Sequence, residues 1–243
     1  MSDFFAGIRY LFRGFALINR KGVRPYAYFP MAINTLLFSF AIWFGISEFD
    51  QWMNALIPSW LPDWLVDAVM WVLWPLFVGL LSLIVFFTFS IVANILAAPF
   101  NGALAEAVEL SLSGESAPQI AWQQIIKDAP KLIFNEIRKL LYLVMWVIPL
   151  IILSLIPVLN IFSPLLWLLF SSWMLALDYH DYPMGNHQLL FKQQRAVLKQ
   201  KRSLALGFGM ATMFATMIPI VNFIVIPAAV AGATALFVER LKK

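Results

Sequence analysis

The chain contains no cysteine. Disulfide staples, thiolate metal sites and a cysteine nucleophile are therefore excluded. Charge is also scarce: 12% of the 243 residues are Asp, Glu, Lys or Arg, about half the share usual in a soluble domain. No GxSxG, HExxH, P-loop or dinucleotide-binding fingerprint occurs, so the sequence points to no enzyme. The only two histidines, His180 and His187, sit near Asp178 and Asp181 in DYHDYPMGNH. That arrangement fits no standard metal-ligand spacing and reads as a polar turn; no metal and no cofactor are expected. The net charge of +4 comes from basic residues scattered between apolar segments rather than gathered in one patch. Nucleic acid is therefore not expected as a partner.

What is present is apolar: 62% of the residues are hydrophobic. A soluble protein of this size could not cover that much apolar surface, whereas lipid removes the need. The reading is an all-α integral membrane protein with lipid as one partner. Nothing in the composition divides the chain, so residues 1–243 read as a single membrane domain. Many of the ten Trp lie near segment ends, as interfacial anchors do. The first residues carry an acid and lack a small-residue cleavage site, so they read as retained.

Residues 4–18 place Arg9 and Arg13 on one stripe of an amphipathic helix, expected to lie in the membrane interface. Residues 26–46 and 69–99 are uncharged and read as transmembrane helices; as a helix the first rises roughly 31 Å. The segment 47–68 between them carries Glu48, Asp50, Asp63 and Asp67 and no Lys or Arg. Residues 100–139 read as helices outside the bilayer.

The two remaining apolar stretches, 140–177 and 204–238, each hold a Pro and Asn knot, IPVLNIFSP at 156–164 and IPIVNFIVIP at 218–227. The shared Ile-Pro, two apolar residues, then Asn looks like a weak internal repeat. The apolar arms are short, about 17 and 13 residues in the first and about 14 and 11 in the second. An arm of about 14 residues rises about 21 Å, less than the roughly 30 Å hydrocarbon core. Two readings stay open: re-entrant hairpins that enter and leave on one side, or four short spanning helices joined by tight Pro turns. All 17 Lys and Arg fall in 9–24, 127–139, 192–202 and 240–243. The positive-inside rule puts these four clusters in the cytoplasm, with both chain ends, for either reading.

Polar residues inside apolar segments are candidates for a transport path or for inter-helix bonding: Asn34, Asn94, Asn101, Glu106, Asn160 and Asn222. Glu106 and Glu109 share a helix at i, i+3 and are expected either to pair with a base such as Arg138 or to gate the path. The loop Arg20-Lys21-Gly22-Val23-Arg24-Pro25 gathers three cations around a glycine before the first transmembrane helix. Amides at that helix start, with Arg24, suit a small oxyanion. Ordinary positive-inside charge against lipid phosphate is the alternative there.

The segments GVR at 22–24, NILAAPFNGALAE at 94–106, DYPMGNH at 181–187 and MIPIVNFIVIPAAVAGATA at 217–235 resemble the CysZ family of bacterial sulfate permeases, in its order and at its spacing. The resemblance implies sulfate import for cysteine biosynthesis across the inner (cytoplasmic) membrane, with no ATPase domain and no organic cofactor. Sulfite or related oxyanions are alternative cargoes. It implies two long transmembrane helices plus two partly penetrating helical hairpins, assembled as a homo-oligomer. It places sulfate at a Gly-apolar-Arg motif, here Gly22, Val23 and Arg24; many members carry a second Arg next, where this chain has Pro25, so that Arg20 or Lys21 would supply the charge. The expected mechanism is a channel or passive transporter. A proton-coupled symporter, with Glu106 or Asp178 carrying the proton, and a non-transporting scaffold are the alternatives.

Overall fold

The computed structural model describes residues 2–56, 62–115, 118 and 122–242. Within its helices, the side chains of 34, 38, 50, 53–56, 63, 67, 84–98, 122–126, 128–129 and 219–220 lie outside the description. The described residues form helices and turns, with no strand among them. In chain order the helices are α1 (Asp3–Leu17), α2 (Arg24–Leu56), α3 (Asp63–Ser113), α4 (Trp122–Leu155), α5 (Ser163–Asn186), α6 (Phe191–Gln200), α7 (Arg202–Thr216) and α8 (Pro219–Leu236). Among the described residues, five stretches are long and apolar enough to cross a membrane: Arg24–Phe49, Trp64–Leu83, Pro130–Leu155, Leu159–Asn186 and Val221–Leu241. The chain divides into two compact units, Tyr28–Pro99, and Met1–Ala27 with Phe100–Lys243.

In the unit Tyr28–Pro99, α2 and α3 run antiparallel. Phe49 is buried against Phe77 and Trp74, with ring centroids 4.6 and 6.0 Å away. At Gly45 the two helices come close enough that a Cβ would displace the end of the Leu81 side chain. The outer faces stay apolar: Trp71 is 82% exposed and Leu36 70%. Exposure of that kind along a helix pair marks a lipid or partner contact rather than a water-facing surface.

In the other unit α8 is central. Val225 and Ala228 to Ala231 are fully buried, as are Ala233, Ala235 and Leu236, so the helix is enclosed by neighbours instead of carrying one apolar stripe. α1, α5 and α7 pack around it. The sequence assigns the apolar face of α1 to the interface; in the structure Ala6, Leu11 and Leu17 of that face are buried against α7 and α8, while Phe5 and Phe12 remain exposed. The contact depends on Gly14, where a Cβ would strike the carbonyl of Ala228 and lie 2.9 Å from the amide of Gly232. Backbones can approach this closely only where a residue has no side chain. The polar stripe of α1 turns to the last residues: Arg13 and Tyr10 donate to Glu239, and Arg240 donates to Asp3 at 3.0 Å.

Both Ile-Pro steps lie at breaks between helices, although the rest of the second knot, with Asn222 and Pro227, belongs to α8. Pro157 and Val158 lead into a 3-10 turn at Leu159–Phe162, and Pro219 opens α8. Proline suits both places because its missing N–H is one the turn does not need. The arms differ from the apolar runs. α7 has 15 residues and rises about 22 Å, short of the core, whereas α8 has 18 and runs on into Phe237–Leu241, and Val221–Leu241 is long and apolar enough to cross, so the short-arm argument fits α7 alone. α4 and α5 have 34 and 24 residues, and 24 residues rise about 36 Å, enough to cross the core. The first pair is longer than its apolar run because the helices continue through charge that pairs across them. Lys139 of α4 lies 2.7 Å from Asp178 and 3.3 Å from Asp181 of α5.

Candidate functional site

The loop between α1 and α2 is built around one apolar side chain. Val23 is fully buried among Leu17, Ile18, Leu104, Ala105 and Val108, so it serves as an anchor and cannot itself face a ligand. Gly22, just before it, has φ +87°, a conformation that disfavours any residue with a Cβ. Beyond Gly22 the space is open. The carbonyl of Arg20 accepts from the amides of Val23 and Arg24 at 3.1 and 3.2 Å, and that of Val23 accepts from Tyr26. The start of α2 therefore satisfies its own amides, contrary to the expectation that they are free. The amides without an acceptor among the described residues are those of Lys21 and Gly22, one step earlier in the loop. Arg24 folds back, its Nε donating to the carbonyl of Asn19, which leaves its terminal nitrogens exposed.

Lys21, Gly22 and Tyr26 line one side of an open cavity of about 340 Å³. The other side is α3, through Ala103, Glu106, Ala107, Leu110 and Ser111. The structure thus brings Lys21, Gly22 and Glu106 to one cavity. Arg20 and Arg24 belong to the same loop without lining it.

One turn further along α3, Glu109 points the other way and is fully buried. Its partners are His187, whose Nε2 is 2.9 Å from both oxygens, and Lys242, whose Nζ is at 2.7 Å. A carboxylate only accepts, so His187 Nε2 carries the hydrogen. Arg138, the partner expected for Glu106 or Glu109, pairs with neither; it is exposed, its guanidinium 4.6 Å from the centre of the Phe134 ring. The physical reason is the face it occupies: α4 leaves Arg138 exposed, while the DYPMGNH turn and the last residues reach Glu109.

The other candidates are dispersed. Asn101 is buried on α3, Asn222 is half-buried in the first turn of α8, and Asn160 is exposed in the 3-10 turn between α4 and α5. The side chains of Asn34 and Asn94 lie outside the described residues. Of the polar cluster near residue 180, Asp178 and Asp181 face Lys139, Asp181 also accepts from Gln194 at 2.6 Å, and His180 is buried with Nδ1 2.7 Å from the carbonyl of Ala176. Asp178 and Asp181 thus share Lys139, while His180 and His187 have other partners.

Sequence reasoning did not find His187 and Lys242 as partners of Glu109, nor Asn186, whose side-chain amide donates to the Gly102 carbonyl. One signal was available: a Glu inside an apolar helix must find cations, since an unpaired buried charge is prohibitive.

The cavity joins a cationic loop with two unpaired amides to the helix of the AAPFNG and LAE segments. Residues 10–227 match the family model described as Sulfate transporter CysZ/Etoposide-induced protein 2.4. The chain belongs to this family. Curated relatives are similar over almost their whole length. The Sulfate transporter CysZ of Pseudomonas fluorescens (strain Pf0-1) is 44% identical over 236 residues, 97% of this chain and 94% of that protein. The proteins of the same name from Pseudomonas paraeruginosa and Pseudomonas syringae pv. tomato are each 43% identical, over 97% and 96% of this chain and 95% and 92% of theirs. The family match takes in the loop at 20–24, Glu106, Glu109 and His187.

Proposed function

We propose that this chain carries sulfate across the bacterial inner membrane as a channel or passive transporter, without ATP hydrolysis, in support of cysteine biosynthesis. The observation that carries the reading is the cavity of Lys21, Gly22 and Glu106 in a chain of the CysZ family, whose relatives bear the name sulfate transporter. Two unpaired amides, the Lys21 ammonium and the free end of the Arg24 guanidinium offer donors to a tetrahedral dianion. Sulfite presents the same acceptor chemistry with one oxygen fewer. Glu106, half-buried on the opposite wall, repels the anion and favours release over tight capture. By the positive-inside rule the loop faces the cytoplasm, so this site works at the exit. Two full spans at 26–46 and 69–99, hairpins at 140–177 and 204–238, an interfacial 4–18 segment and assembly as a homo-oligomer complete the reading.

Proton coupling is the second reading, favoured only by Glu106, since Asp178 is already paired with Lys139. Radiolabelled sulfate uptake into liposomes tests both. Wild type should exceed empty liposomes, and Arg24→Ala and Lys21→Ala should each weaken sulfate binding several-fold. Flux equal to that of empty liposomes ends the transport reading in favour of a scaffold. Uptake that collapses with the proton gradient, and becomes insensitive to it in Glu106→Gln, replaces the channel by a symporter.

A further inference from the structure

A second cavity, of about 660 Å³, lies away from the loop, between α4, α5 and the α6–α7 junction. Its two ends differ in chemistry. Met145, Trp146, Leu150, Leu166, Leu169 and Phe170 form an apolar trough along α4 and α5. From Tyr142 to Leu150 the trough follows α4 for about 12 Å. At the other end stand Arg195, Lys199 and Arg202, and among the described residues none of the three has a carboxylate partner.

The cationic end is held in place. The Arg195 guanidinium lies 4.7 Å from the centre of the Tyr142 ring and 5.9 Å from that of Phe191. Tyr142 in turn accepts from Trp173 Nε1 at 3.2 Å. Aromatic faces fix the guanidinium plane and leave its N–H edges for an anion.

We propose that this groove holds an anionic phospholipid, with its phosphate on Arg195, Lys199 and Arg202 and one acyl chain in the trough. Charge complementarity selects the occupant. Three unpaired cations need a phosphate, and a trough of Leu, Met and aromatic side chains needs hydrocarbon. A free hydrated anion would satisfy only the first need. A second copy of the chain would have to bring carboxylates to the same place.

The test is native mass spectrometry of the full chain in detergent, equilibrated with equal amounts of phosphatidylglycerol and phosphatidylethanolamine of matched acyl chains. Wild type should retain phosphatidylglycerol at least about fivefold over phosphatidylethanolamine. The variant Arg195→Gln/Lys199→Gln/Arg202→Gln should bring the ratio near one, with helical circular dichroism intact. Lys127→Gln/Lys131→Gln/Lys192→Gln, which removes the same charge elsewhere, should keep the wild-type ratio. Leu169→Trp, which fills the trough and leaves the cations, should lower retention of both lipids. Equal retention by wild type overturns the proposal, as does a charge control that falls as far as the groove variant. Displacement of the lipid by inorganic phosphate alone would make this a free-anion site. Loss of self-association without any change in lipid ratio would make it a contact between copies.

Discussion

The buried Glu109 gives the most quantitative test of the structure. Its carboxylate is fully enclosed, whereas the Lys242 side chain is 33% exposed. The two partners are therefore unequal when one is lost. Lys242→Ala leaves a buried carboxylate with His187 as its remaining partner. Removing one member of a buried pair costs about 3–5 kcal/mol when the survivor stays buried, and retention of His187 points to about 3. Glu109→Gln removes the buried charge instead. Lys242 then turns to water, and the loss is that of a hydrogen bond, about 1 kcal/mol. For a chain of this size each kcal/mol moves Tm by about 2–4 °C, so Lys242→Ala should lower the apparent Tm by about 6–12 °C and Glu109→Gln by about 2–4 °C. The double variant should melt above Lys242→Ala alone, because no buried charge remains in it. Differential scanning fluorimetry in detergent reads all three. The reasoning fails if Lys242→Ala melts within about 1 °C of wild type, or if the double variant shows the two losses simply added.

Gly22 and Gly14 should respond differently to the same change. Gly22→Ala puts a Cβ at φ +87° with open space around it, so it should cost about 1–2 kcal/mol and loosen sulfate binding while the chain still folds; isothermal titration against Gly22→Asn, which tolerates that φ, checks it. Gly14→Ala meets the Ala228 carbonyl, so the protein should express poorly or lose resistance of residues 3–17 to protease; normal yield and a wild-type digestion pattern would contradict the packing of α1. The absence of cysteine makes every introduced thiol unique. Lys21→Cys should react with a membrane-impermeant maleimide only after spheroplasts are opened, and partial labelling from outside would place some copies in the opposite orientation.

The helical membrane class was legible because uncharged runs leave few alternatives, and the two Ile-Pro steps were legible as helix breaks, although Pro227 of the second knot lies inside α8 without ending it. α1 was read correctly as amphipathic, but its packing on α7 and α8 was not. Gly14 looks like any small residue until the Ala228 carbonyl is known to lie against it. The arm lengths of α4 and α5 were underestimated for a related reason. Lys139, Asp178 and Asp181 look like helix-ending charge in one dimension and are neutralised across two helices in three. The loop at 20–24 was singled out from composition as a candidate, yet the different placement of its residues was not legible. Val23 proved an anchor, and the unpaired amides lie at Lys21 and Gly22. The partners of Glu109 could not be read because they stand 78 and 133 residues away.

α8 has a consequence for how this protein tolerates change. Its stretch Val221–Leu241 has the highest mean hydropathy of the five candidate spans, 2.1, yet 67% of its most apolar window is buried within the protein. Pro130–Leu155, at 1.9, buries none of its window. Apolarity in α8 therefore records side-chain fit, where a single added methylene is felt. On the outer face of α4 it records solubility in hydrocarbon, where Leu, Ile, Val and Met are nearly interchangeable. A substitution scan would find this strongly hydrophobic segment of a membrane protein behaving like the core of a soluble one.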